Sequence, residues 1–165
     1  MDPSIRYGGA SFDDWPTIAA LQQMMFRDDP TALLQEEFMF VCGGQGGQLH
    51  VARCGDSLAG YLLSRQKSYL PWETMAFLAV DPRFRRRGIA GGLVQKALDD
   101  AQRPFMRLHV RPSNLAALDL YEKAGFRQIG RRSNNHADGE DSIIMMGRTG
   151  ASLTFWPSDQ ATKTA

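Results

Sequence analysis

The chain has 165 residues, 43% hydrophobic and 22% charged, with a formal net charge of +1. That length suits a single domain with a real core, and the near-neutral balance excludes a bulk pull on nucleic acid or anionic membrane, so any anion site must be local. No apolar run approaches the ~20 residues of a membrane helix, the N-terminus lacks a secretory pattern, and two cysteines (Cys42 and Cys54) make no disulfide framework, so a reducing cytoplasm is the expected location.

Ile18, Leu21, Gln22, Met25 and Phe26 recur at helical spacing and predict a first helix over residues 12–27, stopped by Asp28, Asp29 and Pro30. Residues 31–38 read as a second short helix, with Pro30 near its start. The glycine-rich run 43–47 reads as a flexible connection. Residues 49–53 and 58–64 are β-rich and flank Cys54, Gly55, Asp56 and Ser57, which predicts a hairpin. A strand follows over 74–80, ended by Asp81 and Pro82, because proline removes a ladder donor.

The next helix covers 90–102, with Leu93, Val94, Ala97, Leu98 and Ala101 as its apolar stripe. A strand over 105–110 leads to a helix over 113–123, capped by Ser113 or Asn114 and ended by Gly125. Strands over 126–131 and 142–146 complete the domain, residues 1–150. Residues 151–165 form a polar tail that could dock through Leu153, Phe155 and Trp156. The order predicts an α/β (α+β) fold: one mixed central sheet of about six to seven strands flanked by about four helices, with a parallel crossover between 74 and 110.

The chemically informative stretch runs from Leu78 to Gly92. An apolar strand (Leu78, Ala79, Val80) ends, the basic turn Arg85, Arg86, Arg87 follows, and Gly88, Ile89, Ala90, Gly91 and Gly92 open a helix. The first turn of a helix leaves N–H groups unpaired at the positive end of its dipole, and small residues let an anion reach them. The pattern suits a pyrophosphate, although a solvated turn would use the same residue types. The Walker and dinucleotide glycine motifs are absent.

Two blocks make the pattern specific. Leu78-x-Val80-x-Pro82-x-x-Arg85-x-x-Gly88-x-Ala90 resembles the acetyl-CoA signature of the Gcn5-related N-acetyltransferase (GNAT) family. The run from Asn114 through Ala117, Leu120 and Tyr121 to Gly125 and Phe126 is similar to that family's second block, N-x-x-A-x-x-L-Y-x-x-x-G-F. The resemblance implies acetyl-CoA as donor and an amine as acceptor. It implies that the backbone of Leu78, Ala79 and Val80 binds the pantetheine arm and the thioester carbonyl. The N–H groups from Arg86 through Arg87, Gly88, Ile89 and Ala90 to Gly91 would hold the pyrophosphate with Arg85 adding charge beside them, Asn114 would bond the arm, and Tyr121 would sit near the sulfur. Helical spacing agrees, since Asn114, Ala117, Leu118 and Tyr121 share one face and Ala117 leaves room there.

Direct attack of an amine on the thioester needs a donor for the oxyanion, for which the Val80 N–H is the candidate, and a proton for the departing thiolate, for which Tyr121 is the candidate. Two residues are candidate bases: Glu73 at the start of the strand before the cofactor turn, and His109 on the next strand. A water relay with no dedicated base is the third possibility.

The segment from Arg131 and Arg132 to Met146, with Asp138, Gly139, Asp141, Ile143 and Met145, resembles the subgroup that acetylates protein N-termini, including ribosomal-protein alanine acetyltransferases. His109 stands where those enzymes carry a glutamate, and Asn134 and Asn135 where they tend to have tyrosines. A peptide N-terminus is therefore one acceptor, a small-molecule amine another, and a non-catalytic acetyl-CoA sensor a third reading. No metal site is expected, since His50, His109, His136, Cys42 and Cys54 have no ligand spacing. No nucleic-acid or membrane partner is expected, and the chain would work as a monomer or homodimer.

Overall fold

A computed structural model describes residues 4–26, 34–135 and 138–150. The elements in order are β1 (Ile5–Gly9), a 3-10 turn (Phe12–Asp14), α1 (Trp15–Met25), α2 (Gln35–Cys42), β2 (Gly47–Cys54), β3 (Ser57–Gln66) and β4 (Trp72–Val80). A second 3-10 turn (Pro82–Phe84) then leads to α3 (Ile89–Asp100), β5 (Phe105–Val110), α4 (Leu115–Lys123), β6 (Arg127–Arg132) and β7 (Ser142–Arg148).

The strands form one seven-stranded sheet in the order β1-β2-β3-β4-β5-β7-β6. Every pairing is antiparallel except β4 with β5, the pair that the α3 crossover joins.

The sheet has a core on each face. On one, Leu93, Val94, Ala97 and Leu98 of α3 and Tyr121 of α4 pack with Ala52, Leu62, Met75, Met106, Leu108 and Met145. On the other, Ile18 and Leu21 of α1 and Phe38 and Val41 of α2 pack with Val51, Tyr61, Leu63, Phe77 and Ala79.

Met75 and Phe77 are two residues apart on one strand, yet they lie in opposite cores. The register with β3 explains this. Leu63 pairs with Phe77 and Ser64 with Met75, so Ala76 is an extra residue. That bulge inverts the strand's alternation and bends it.

The sequence reading missed β1. Ile5 is its one buried apolar residue, and two glycines end it, so an edge strand of this kind carries almost no alternation. Helix α2 runs on to Cys42, beyond the expected end, and Phe12–Asp14 is a 3-10 turn rather than α-helix. The strand expected over 74–80 starts at Trp72. Residues 27–33 and the expected docking residues Leu153, Phe155 and Trp156 lie outside the described residues. Among the described residues no helix is long and apolar enough to cross a membrane.

Candidate active site

Strands β4 and β5 share a ladder at one end only. Trp72–Met75 pair with Phe105–Leu108, and beyond that the two strands part. Strand β5 stays paired with β7 along its whole length, so β4 is the strand that leaves, and it leaves where Ala76 bulges. The result is a wedge opening toward Val80 and Val110.

The pairing with β3 fixes which backbone groups face the wedge. Val80 lies opposite Gly60, and the Asp81 N–H donates to the Ala59 carbonyl at 2.9 Å. In antiparallel geometry this makes Val80, and Leu78 two residues back, non-hydrogen-bonded positions whose own N–H and C=O turn away from β3. Leu78 and Val80 thus aim their amides into the opening. Ala79 does not. Its amide turns to β3, and its side chain lies in the α1–α2 core, so the expectation that Ala79 offers a cofactor contact has no geometric support.

The turn after β4 is clamped by Asp81. Its carboxylate accepts the Arg83 N–H at 2.9 Å and the Arg83 guanidinium at 2.7 Å, and these bonds hold its carboxyl below the usual carboxylate range. The chain then takes two left-handed steps, Arg86 at φ 61° and Gly88 at φ 77°. Gly88 is the N-cap of α3, and no side chain caps that turn. The N–H groups of the first turn are therefore left for an external acceptor, within a concave run of amides of the kind that binds anions.

A Cβ on Gly88 would meet nothing within 4 Å, and one on Gly91 only Leu120 Cδ1 at 3.7 Å. Gly92 serves another purpose. A Cβ there would stand 2.2 Å from the Tyr7 ring, so this glycine lets α3 lie against β1. The arginines flank the turn: Arg85 Nη2 reaches Met25 Sδ at 3.3 Å, Arg87 Nη2 donates to Ser4 Oγ at 3.1 Å, and Arg86 is exposed. Ile89 is buried in the core, so only its backbone faces the turn, and Ala90 is half-buried.

Helix α4 borders the same opening. Asn114 Oδ1 accepts the Ala117 N–H at 3.1 Å, so Asn114 is a helix cap, with its amide nitrogen left to donate. Glu140 pins the preceding turn by accepting from the Ser113 N–H at 2.9 Å and from Arg111 at 2.8 Å. Arg111 also holds Asp138 at 2.7 Å. Tyr121 is buried at 8% exposure in the same packed cluster as Leu78, Val80 and Ala117, with Phe126 at 5.8 Å between ring centroids. Burial pushes its phenol pKa up to about 12, so it keeps its proton at any physiological pH.

The two candidate bases separate clearly. His109 follows Leu108, the last β5 residue paired with β4, so it sits where the wedge begins. It is half-buried. Leu108 and Val110 face the α3–α4 core, which puts His109 on the opposite face, the side of Phe77 and Ala79. Tyr121 and His109 thus flank the wedge from opposite sides of the sheet.

Glu73 lies in the closed half, fully buried. Its Oε2 accepts from Ser64 Oγ at 2.9 Å, and its Oε1 from Gln66 Nε2 at 2.9 Å and from the Gln102 N–H at 2.7 Å. Every oxygen is committed, and the side chain is on the α3 face. The parity that would turn it to the acceptor side is the one the Ala76 bulge reverses, so placement argues against Glu73 as base. The sequence hid the bulge, since residues 75–80 are apolar throughout and show no alternation to break. Among the described residues no cluster of three or more His, Cys, Asp or Glu could hold a metal.

The site is thus a sheet forked between two parallel strands, with an uncapped helix N-terminus at the mouth and a buried phenol on one wall. The profile of the Acetyltransferase (GNAT) family matches residues 14–126, and the chain belongs to that family.

An N-alpha-acetyltransferase RimI of Mycobacterium tuberculosis is 37% identical over 102 residues, 60% of this chain and 65% of that protein. The [Ribosomal protein bS18]-alanine N-acetyltransferase of Escherichia coli K12 is 38% identical over 78 residues, 44% of this chain and 53% of that protein. The matched stretches thus span less than two thirds of these relatives. Among solved structures, the Escherichia coli ribosomal-protein-S18-alanine N-acetyltransferase superposes with a TM-score of 0.73 at 24% identity, covering 93% of this chain and 99% of that one. Arabidopsis thaliana Naa50 in complex with the bisubstrate analogue CoA-Ac-MVNAL gives 0.72 at 18% identity, covering 87% and 97%. These two likenesses bear on the fold.

Proposed function

We propose that this protein is an acetyl-CoA-dependent N-acetyltransferase whose acceptor is the α-amine of a protein or peptide. The observation that carries the reading is the wedge between β4 and β5 with the uncapped start of α3 at its mouth. The residues fit the donor. The α3 turn, with open space over Gly88 and Gly91, would hold the pyrophosphate, and the Leu78 and Val80 backbone would hold the arm. Bound there, acetyl-CoA supplies an activated acyl thioester.

The chain's own groups divide the remaining work. The Val80 N–H donates to the oxyanion as it forms. Tyr121, kept protonated by burial, donates to the departing sulfur from the α3–α4 side. His109 accepts a proton from the amine on the other face. Holding both reactants in one wedge supplies proximity.

The N-terminal acceptor is supported by the relatives, an N-alpha-acetyltransferase and a bS18-alanine N-acetyltransferase. A cytoplasmic setting agrees with Cys42 and Cys54 being free thiols.

The test is release of free thiol from acetyl-CoA against parallel panels of peptides, with free and blocked N-termini, and small amines. Turnover of free-N-terminus peptides with none of the blocked ones supports the reading. Turnover of small amines alone would replace it with a small-molecule transferase, and acetyl-CoA binding without turnover on any acceptor would replace it with a sensor.

A further inference from the structure

The half of the sheet beyond the wedge carries a charge pattern that the transfer chemistry does not use. Side chains that pair across antiparallel strands point to the same face. Arg107 of β5 pairs with Met146 of β7, and Met146 with Arg127 of β6. His109 pairs with Ile144, and Ile144 with Gly130. Phe105 pairs with Arg148, and Ser142 with Arg132. Arg107, Arg127, Arg132 and Arg148 therefore share one face with His109, the face opposite Tyr121.

None of these four arginines makes an ion pair among the described residues. Arg107 lies over the Trp72 ring at 5.7 Å, and Arg127 donates to its neighbour's carbonyl, that of Phe126, at 3.2 Å. The nearby carboxylates are engaged elsewhere. Asp138 and Glu140 hold Arg111, and Asp141 accepts the Asn134 N–H and lies 4.0 Å from Arg131. Arg131 pairs with Ile143, so it points to the other face. On the β4 side of the wedge the same face is apolar, with Ala76, Phe77 and Ala79. The chain's net charge is only +1, so this field is local.

We infer that this arginine face is the seat for an acidic acceptor segment: a peptide whose first residues after the acetylated one carry aspartate or glutamate. The inference rests on the N-terminal acceptor reading above and narrows its substrate class. With its α-amine in the wedge beside His109, such a peptide lays its following residues over β5, β7 and β6. Its carboxylates meet Arg107, Arg127 and Arg132 there, whereas a basic peptide meets like charge. The pull is electrostatic at an exposed surface, so it weakens with salt and acts chiefly on encounter and KM.

The experiment uses the full chain and three free-N-terminus peptides with the same first residue, bearing Asp/Glu, Ala or Lys at positions two to four. Acetylation is followed at low and at ~0.3 M salt. The acidic peptide is expected to have a kcat/KM about tenfold above the neutral one, carried by KM and largely lost at high salt. The Arg127→Glu/Arg132→Glu variant is expected to invert the order. Arg127→Gln/Arg132→Gln, a milder change at exposed edge positions, flattens it.

Equal turnover of all three peptides at low salt, or an order the charge reversals leave intact, overturns the inference while leaving N-terminal transfer standing. A concentration-dependent dimer that the reversals abolish, with no peptide preference, would make the face a self-interface and overturns it too. Turnover of small amines with none on any peptide fails the parent reading, and this inference with it.

Discussion

The two halves of the β4–β5 junction are built from neighbouring residues and do opposite things. In the closed half, from Trp72 to Met75, the strands are hydrogen-bonded and Glu73 is a buried hub tying β3, β4 and the end of α3. In the open half, from Ala76 to Val80, the same strand turns its Leu78 and Val80 amides away from β3 and into the wedge. A carboxylate's place relative to one extra residue, Ala76, decides whether it serves structure or chemistry.

The comparison can be broken most directly at Glu73. Glu73→Ala strands the buried Ser64 hydroxyl and takes the acceptor from the half-buried Gln66 amide and from the Gln102 N–H, at a cost of about 3 kcal/mol. The melting temperature should fall by roughly 6–12 °C, with the pH–rate profile of the remaining folded enzyme unchanged. A profile that loses a titration with Tm intact would return Glu73 to the list of bases.

Tyr121→Phe tests the open half. It keeps the packing with Phe126 and removes only the proton donor, so turnover should fall about 100-fold with acetyl-CoA affinity near that of wild type. The pH dependence follows from the same burial. The folded-state pKa is raised to about 12 from an ordinary value near 10, so Tyr121 favours the fold below about pH 10, and that contribution is lost as pH rises toward 12. No alkaline loss of rate below about pH 10 should be traceable to this residue. A limb near pH 8 or 9 that vanishes in Tyr121→Phe would contradict its buried placement.

A smaller effect is expected at the mouth. Gly88→Val puts a β-branched residue at φ 77° and a side chain over the free amides, so acetyl-CoA affinity measured by calorimetry should weaken about tenfold. His109→Gln is the mildest change. It should alter the acidic limb of the pH–rate profile and leave cofactor affinity alone, and an unaltered profile would assign proton removal to water.

Much of this is legible in the amino-acid sequence itself. The wedge-lining strand, the arginine and glycine turn, and the Asn114 to Tyr121 face all announce themselves through local spacing, because each is made by consecutive residues on one element. The bulge at Ala76 does not, since it exists only relative to β3 and lies in a uniformly apolar run. The arginine face was hidden for a related reason. Arg107, Arg127 and Arg132 come together through β5–β7–β6 pairing, and no linear pattern connects them. Asn114 shows a third kind of limit, since its cap and its expected contact with the donor use different atoms of one amide.

The contact between Tyr7 and Gly92 carries a practical consequence. The stretch that matches the family, 14–126, omits β1, the strand bracing the front of α3, and it omits both β6 and β7, of which β7 is the one that pairs with β5. Excising that stretch would unbuckle the sheet at both margins. It would leave β5 with a raw, unprotected edge, so a minimal version of this domain has to include Ile5 through Arg148.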